Sequence, residues 1–214
     1  MTRNVYQAIL DNKIIVIIRG IGIEKLLPTA EALIRGGVKL IEVTFNQNLA
    51  DTLQETKRAI QLLSETYPEI HVGAGTVMSV EQVEAAVMAG ARYIISPHVD
   101  QAVITRTKEM GAVSIPGALT PTEIVTAYKN GGDFIKLFPM GNLGPDYAKA
   151  VMGPLGHIPM LAVGGVNVDT IQSILDVGFK GVGIGGNLVN KKLIDAGEFD
   201  AICELAKRYI KAVH

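Results

Sequence analysis

The chain has 214 residues, 48% of them apolar, and 20 Lys and Arg against 21 Asp and Glu leave a formal net charge of −1 at pH 7. So close a balance argues against the basic footprint of a nucleic-acid binder, and no run of Lys or Arg marks a polybasic membrane patch. The length fits a single domain over residues 1–214, with enough apolar content for a large core.

No apolar run approaches a membrane span. The N-terminal Met1-Thr2-Arg3-Asn4 leads into an amphipathic segment rather than a signal-type apolar core, so a cytoplasmic location is expected. Cys203 is the only cysteine. It can form neither an intramolecular disulfide nor a cysteine metal cluster, and it reads as packing on a helix face.

In chain order, a short helix over residues 5–10 precedes Ile14-Ile15-Val16-Ile17-Ile18, a first strand followed at once by Arg19-Gly20. A helical pattern over 24–35 stops at Gly36-Gly37, and residues 40–45 form a second strand. A longer helix over 49–67 leads to a third strand, His71-Val72-Gly73-Ala74-Gly75-Thr76-Val77. Ser79 with Gln82 three residues on predicts an N-cap for a helix ending near Gly90. Residues 93–97 and 113–117 are the fourth and fifth strands, and Thr120-Pro121-Thr122-Glu123 predicts a capping box with proline at the first helical position. Residues 134–139, 160–165 and 181–186 complete the strands, and a polar-faced helix over 200–213 ends the chain.

Eight buried-looking strands alternating with helices over short connections predict a parallel α/β barrel, the (β/α)₈ or TIM architecture, with an added N-terminal helix. The competing architecture is a doubly wound open sheet. It lacks its G-x-G-x-x-G turn after the first strand.

The sixth strand, Phe134-Ile135-Lys136-Leu137-Phe138-Pro139, carries a lone amine. Alternation puts Phe134, Lys136 and Phe138 on one face, Ile135 and Leu137 on the other. A buried amine is pushed towards its neutral, nucleophilic form; the rival reading is a buried stem with its head in water. Glu42 is the other charge within an apolar strand. The pair reads either as a neutralising salt bridge or as a Schiff-base lysine with its proton carrier.

In such a barrel, chemistry sits at the carboxyl ends of the strands. Gly164-Gly165 and Gly185-Gly186 end strands seven and eight, where glycine lets backbone N–H groups approach a phosphate; ordinary tight turns are the alternative. Asn187 adds a side-chain donor, and Arg19 is a candidate carboxylate clamp or else a surface ion-pair residue. Thr76 offers a hydroxyl, while Gly73 and Gly75 read as space-making residues. His71, His157 and His214 read as solvated. His98 lies at the predicted rim, within reach of a substrate, but has no partners for a metal triad, so catalysis without a metal is expected.

Several of these stretches together resemble the 2-keto-3-deoxy-6-phosphogluconate / 4-hydroxy-2-oxoglutarate aldolases: Glu42-Val43-Thr44, residues 72–77, Ser96-Pro97, Pro116-Gly117 with residues 120–123, Lys136-Leu137-Phe138-Pro139, and Gly164-Gly165-Val166. The likeness runs in order over residues 14–187. It implies a metal-independent, cofactor-free class I lyase on a (β/α)₈ barrel, usually a homotrimer, acting on a small phosphorylated keto acid. By resemblance Lys136 is the Schiff-base lysine and Glu42 the general acid/base, with Thr76 and the backbone near Pro97 holding the pyruvate half.

Three positions depart from the phosphogluconate pattern: Asn46 where an arginine binds carboxylate, Val163 where a threonine stands, and Asn187 where a serine stands. Ile18-Arg19-Gly20-Ile21, Asn46 and Ala162-Val163-Gly164-Gly165 look closer to the 2-keto-3-deoxy-6-phosphogalactonate branch, in which the arginine after the first strand takes over the carboxylate. Valine at 163 removes a hydroxyl partner for the C4 hydroxyl, which implies relaxed choice between C4 epimers. An unphosphorylated hydroxy-oxoglutarate substrate, a phosphate-binding barrel isomerase or transferase, and a non-catalytic sugar-phosphate binder are the alternatives.

Overall fold

The computed structural model describes residues 2–214. Helix α1 (Thr2–Asn12) precedes β1 (Ile14–Ile18), α2 (Ile23–Arg35), β2 (Leu40–Thr44), α3 (Thr52–Thr66), β3 (His71–Gly75), α4 (Val80–Met88), β4 (Tyr93–Ile95) and α5 (Gln101–Glu109). Then come β5 (Val113–Ile115), β6 (Gly117–Ala118), α6 (Pro121–Lys129), β7 (Ile135–Leu137), a single 3₁₀ turn and α7 (Gly144–Leu155). The chain ends with β8 (Met160–Val163), α8 (Val168–Val177), β9 (Gly181–Ile184), α9 (Lys191–Asp195) and α10 (Phe199–Val213).

All strand pairings are parallel, in the order β5-β4-β3-β2-β1-β9-β8-β7-β6. Only Pro116 separates the two end strands, so the ring closes through the chain itself. The expected fifth strand, over 113–117, is thus two short pieces. Pro116 has no N–H to give a ladder; Ile115 O accepts from Ser96 N on one side, and Pro116 O accepts from Lys136 N on the other. The result is a (β/α)₈ barrel whose fifth strand breaks at a proline.

Alternation sorts the strands into two layers. Ile14, Val16, Ile41, Val72, Ile135, Leu137 and Ala162 face the helices, while Ile15, Ile17, Leu40, Tyr93, Val113, Phe134 and Leu161 fill the lumen. Both faces are covered, which is why these strands are nearly continuous apolar runs. Helix α1 seals the amino end: Val5 and Ile9 pack into the lumen cluster, and the Tyr6 ring stacks on Phe134 at 4.5 Å.

Local signals set the helix starts. Ser79 Oγ accepts from Gln82 N, and Thr120 with Glu123 makes the full capping box with Pro121 first in the helix. The helices otherwise run a few residues longer or shorter than the periodicity suggests, as helix ends usually do. The ladders of β2, β3, β4, β7, β8 and β9 stop one or two residues before the ends read from sequence. Pro97 and Pro139 lack N–H groups, and Gly164 and Gly165 turn to φ of 89° and 77°, outside the β region. The released residues become the loops that surround the mouth of the barrel.

Candidate active site

A cavity of about 510 Å³ opens at the carboxyl end of the barrel. Arg19, Thr76, Pro97, Lys136, Val163, Gly164, Gly165, Gly185, Gly186 and Asn187 all line it. The carboxyl ends of six strand positions therefore converge on one space. Phe138, placed on the Lys136 face from sequence, also lines it, as do Ile17, Val166 and Gly183, to which sequence reasoning gave no role; each sits one alternation step or one residue from a position singled out.

Lys136 projects into this cavity from β7 and is only 4% exposed. Its Nζ lies 4.7 Å from the centroid of the Phe138 ring, two residues along on the same face. Glu42 on β2 is 1% exposed and stands across the ring of strands from β7. Room for its carboxyl comes from β3: a Cβ on Gly75 would lie 1.6 Å from Glu42 Oε1. Gly73 makes the same kind of room for the ring of Tyr93.

Among the described residues no salt bridge joins Glu42 to Lys136, and Glu42 Oε1 has no hydrogen-bond partner. Burial raises the Glu42 pKa, with Lys136 and Arg19 opposing. Burial lowers the Lys136 pKa, Glu42 opposing and Arg19 adding to the effect. Loss of hydration outweighs mutual attraction for both groups, so both are driven towards their uncharged forms. An amine moved towards its neutral form can add to a carbonyl carbon, and a carboxyl moved towards its protonated form, here across the lumen and not on the cavity lining, can protonate a departing oxygen.

On the rim, Arg19 Nη2 donates to Thr76 Oγ1 at 2.9 Å. Thr76 holds a left-handed φ of 56°, a strained setting for a β-branched residue. It is braced by Gln47, whose Nε2 donates to Thr76 O at 2.7 Å and which exchanges amide bonds with Gln82. Gln47 went unread in the sequence. Gln82 was read only through its cap, although its Oε1 also accepts from Met78 N at 2.8 Å. Arg19 is exposed at the mouth, and the bond to Thr76 uses only one of the guanidinium's five N–H donors.

The two glycine pairs follow β8 and β9, the next two strands round the ring from β1. Gly141 N donates to Gly164 O at 2.6 Å, and Asn187 Nδ2 donates to Val166 O at 3.0 Å. One amide hydrogen of Asn187 is thus spent on tying one loop to the other. Gly164 and Gly165, both at positive φ, bring that loop to the cavity wall with no side chain between backbone and cavity, the kind of surface that suits an anionic oxygen.

Asn46 falls outside this cavity. It is exposed beyond β2, its Oδ1 accepts from Asn48 N at 3.2 Å, and it borders a separate hollow between β1, β2 and the neighbouring helices. The chain leaves the ring after Thr44 and turns Asn46 outward, so its specificity role does not follow from position. His98 also stays off the cavity wall, with Nε2 3.9 Å from Asp100 Oδ2. His71, expected to be solvated, is half-buried at the start of β3, and burial lowers its pKa. Cys203 is buried on α10, as expected of packing. No helix of the described residues is long and apolar enough to cross a membrane.

The family model described as "Aldolase: KDPG and KHG aldolase" matches residues 5–205. A 2-dehydro-3-deoxy-6-phosphogalactonate aldolase of Escherichia coli (strain K12) is 33% identical over 177 residues, covering 82% of this chain and 83% of that protein. A solved structure described as native KDPGal superposes with a TM-score of 0.82 at 31% identity, covering 93% of each chain. The KDPG aldolase of Legionella pneumophila, solved with pyruvate captured at low pH as a covalent carbinolamine intermediate, gives a TM-score of 0.82 at 28% identity, covering 94% of this chain and 96% of that one.

Proposed function

The chain belongs to the KDPG and KHG aldolase family, and from that premise we propose that its cavity cleaves a 2-keto-3-deoxy-6-phospho sugar acid to pyruvate and glyceraldehyde 3-phosphate through a Schiff base on Lys136. The observation that carries this reading is the pairing of Lys136 and Glu42. Both are buried in one lumen, unbridged, and driven by desolvation towards free amine and free acid.

In the proposed cycle, the Lys136 amine adds to the C2 ketone. Glu42 protonates the oxygen as water leaves, and the protonated imine becomes an electron sink. Glu42, now a carboxylate, takes the C4-hydroxyl proton as the C3–C4 bond breaks, directly or through a water. The electron pair of that bond moves to the enamine, which is reprotonated at C3, and hydrolysis releases pyruvate and restores the amine. Arg19 and Thr76, with the backbone at Pro97, hold the substrate carboxylate. The loops at Gly164-Gly165 and Gly185-Gly186 hold the phosphate, with Asn187 keeping them in register.

Val163 lines the wall beside the phosphate loop. Without a hydroxyl there, the site lacks a partner that rejects one C4 configuration, so both the gluconate and galactonate epimers are turned over. An assembly of three subunits, one domain per chain and a cytoplasmic location complete the proposal. The test is a coupled assay for pyruvate with each phosphorylated epimer. Pyruvate release that disappears in Lys136→Ala is expected; full activity in that variant rejects the assignment.

A further inference from the structure

Strand β3 turns two glycines to the lumen, and a side chain from a neighbouring strand fills the hollow at each. A Cβ on Gly73 would lie 2.1 Å from Cε2 and 2.5 Å from Cζ of Tyr93, and one on Gly75 would meet the Glu42 carboxyl. Glu42 stands beside Gly73 in register. The phenol therefore reaches from β4 across β3 towards the strand that carries the carboxyl.

Tyr93 is fully buried and Glu42 nearly so, and the Tyr93 hydroxyl and Glu42 Oε1 each lack a hydrogen-bond partner. The cluster around Tyr93 is otherwise apolar, with Leu40, Ile95, Val113 and Phe134 among its members. The charged groups that act on Glu42 are Lys136 from β7 and Arg19 beyond the end of β1, while Tyr93 itself senses Glu42. Two unpaired polar atoms in adjoining slots cost stability in the free protein, a cost with a functional reason if a step of the reaction joins them. Such a step exists. When Lys136 becomes an iminium its nitrogen keeps one N–H where the free amine has two, just as Glu42 must carry charge to act as a base.

We propose that Tyr93 is a positioning residue whose hydroxyl donates a hydrogen bond to the ionised Glu42 carboxylate, directly or through one water, and thereby sets the pH at which Glu42 accepts a proton. This rests on the assignment of Glu42 as acid and base. A hydrogen bond to the charged form of a carboxylate favours that form, so removing the donor moves its titration upward.

Tyr93→Phe keeps the ring that fills the hollow at Gly73 and deletes only the hydroxyl. The measurement is the pH dependence of the cleavage rate at saturating substrate, where Lys136 is already condensed and the acid limb reports Glu42. In Tyr93→Phe that limb is expected to move up by about one pH unit, a tenfold slower cleavage on its acid side. Borohydride capture of pyruvate should stay at its wild-type value, and the thermal midpoint should hold or rise, since the deleted hydroxyl is buried without a partner in the free protein. With 3-fluorotyrosine at position 93, a stronger donor of nearly the same shape, the limb is expected to move down; this protein decides the matter alone if the phenylalanine variant does not fold. An acid limb that stays in place in the folded variants overturns the proposal. A fully active Glu42→Gln would instead remove the acid/base assignment, so the two failures are distinguishable.

Discussion

Lys136 and Glu42 owe their states to the same cause, the loss of water around them, and each is the other's main counterweight. Glu42→Gln removes the one influence that raises the lysine pKa and leaves burial and Arg19 to lower it. The pH midpoint for borohydride capture of pyruvate on Lys136 is therefore expected to fall, while steady-state cleavage drops by about 10²- to 10⁴-fold with the loss of the proton carrier. A capture midpoint that rises would reverse the electrostatic reading. Arg19 acts differently, since a carboxylate clamp holds ground state and transition state alike. In Arg19→Ala, KM should rise by about 10- to 100-fold, the worth of a charge-assisted hydrogen bond, with a smaller loss in kcat; steady-state kinetics on the phosphorylated substrate checks this.

At the scale of elements, β3 and the loop after β7 do their work by what they lack. A methyl at Gly75 would occupy the place of the Glu42 carboxyl; Gly75→Ala should lower cleavage by at least about 100-fold while Lys136 still captures pyruvate. A methyl at Gly141 would lie 2.7 Å from Gly165 Cα. Gly141→Ala should thus raise KM for the phosphorylated substrate and leave KM for an unphosphorylated 4-hydroxy-2-oxo acid unchanged; an equal effect on both would detach this loop from the phosphate. The inward alternation of Phe134, Lys136 and Phe138 was legible in the sequence, because a period of two in an apolar run has one structural meaning. So was the space-making role of Gly73 and Gly75. The break at Pro116, the outward turn of Asn46 and the Gln47–Gln82 brace under Thr76 were not, since each depends on how the chain leaves the ring, and periodicity carries no information about that.

For the molecule as a whole, the site is stored at a cost in stability with a defined pH signature. Between its lowered native pKa and the ordinary 10.5, Lys136 is unprotonated when folded and protonated when unfolded, so its contribution makes stability rise with pH across that window. Glu42 does the opposite: above the ordinary 4.5 the folded chain keeps a proton that the unfolded chain releases, and stability falls as pH rises towards its native pKa. Lys136→Met is accordingly expected to melt higher than wild type at pH 7, by about 2 to 10 °C for a cost of about 1 to 3 kcal/mol. The gain should shrink as the pH approaches 10.5, and a lower melting point at pH 7 would contradict it. The most direct test of the central claim, a single buried amine that condenses with a keto acid, is mass spectrometry of the protein after borohydride reduction with pyruvate. One reduced pyruvyl group on the peptide containing Lys136, absent from Lys136→Ala, is the predicted result; an unmodified protein, or an adduct on any other lysine, would contradict the account.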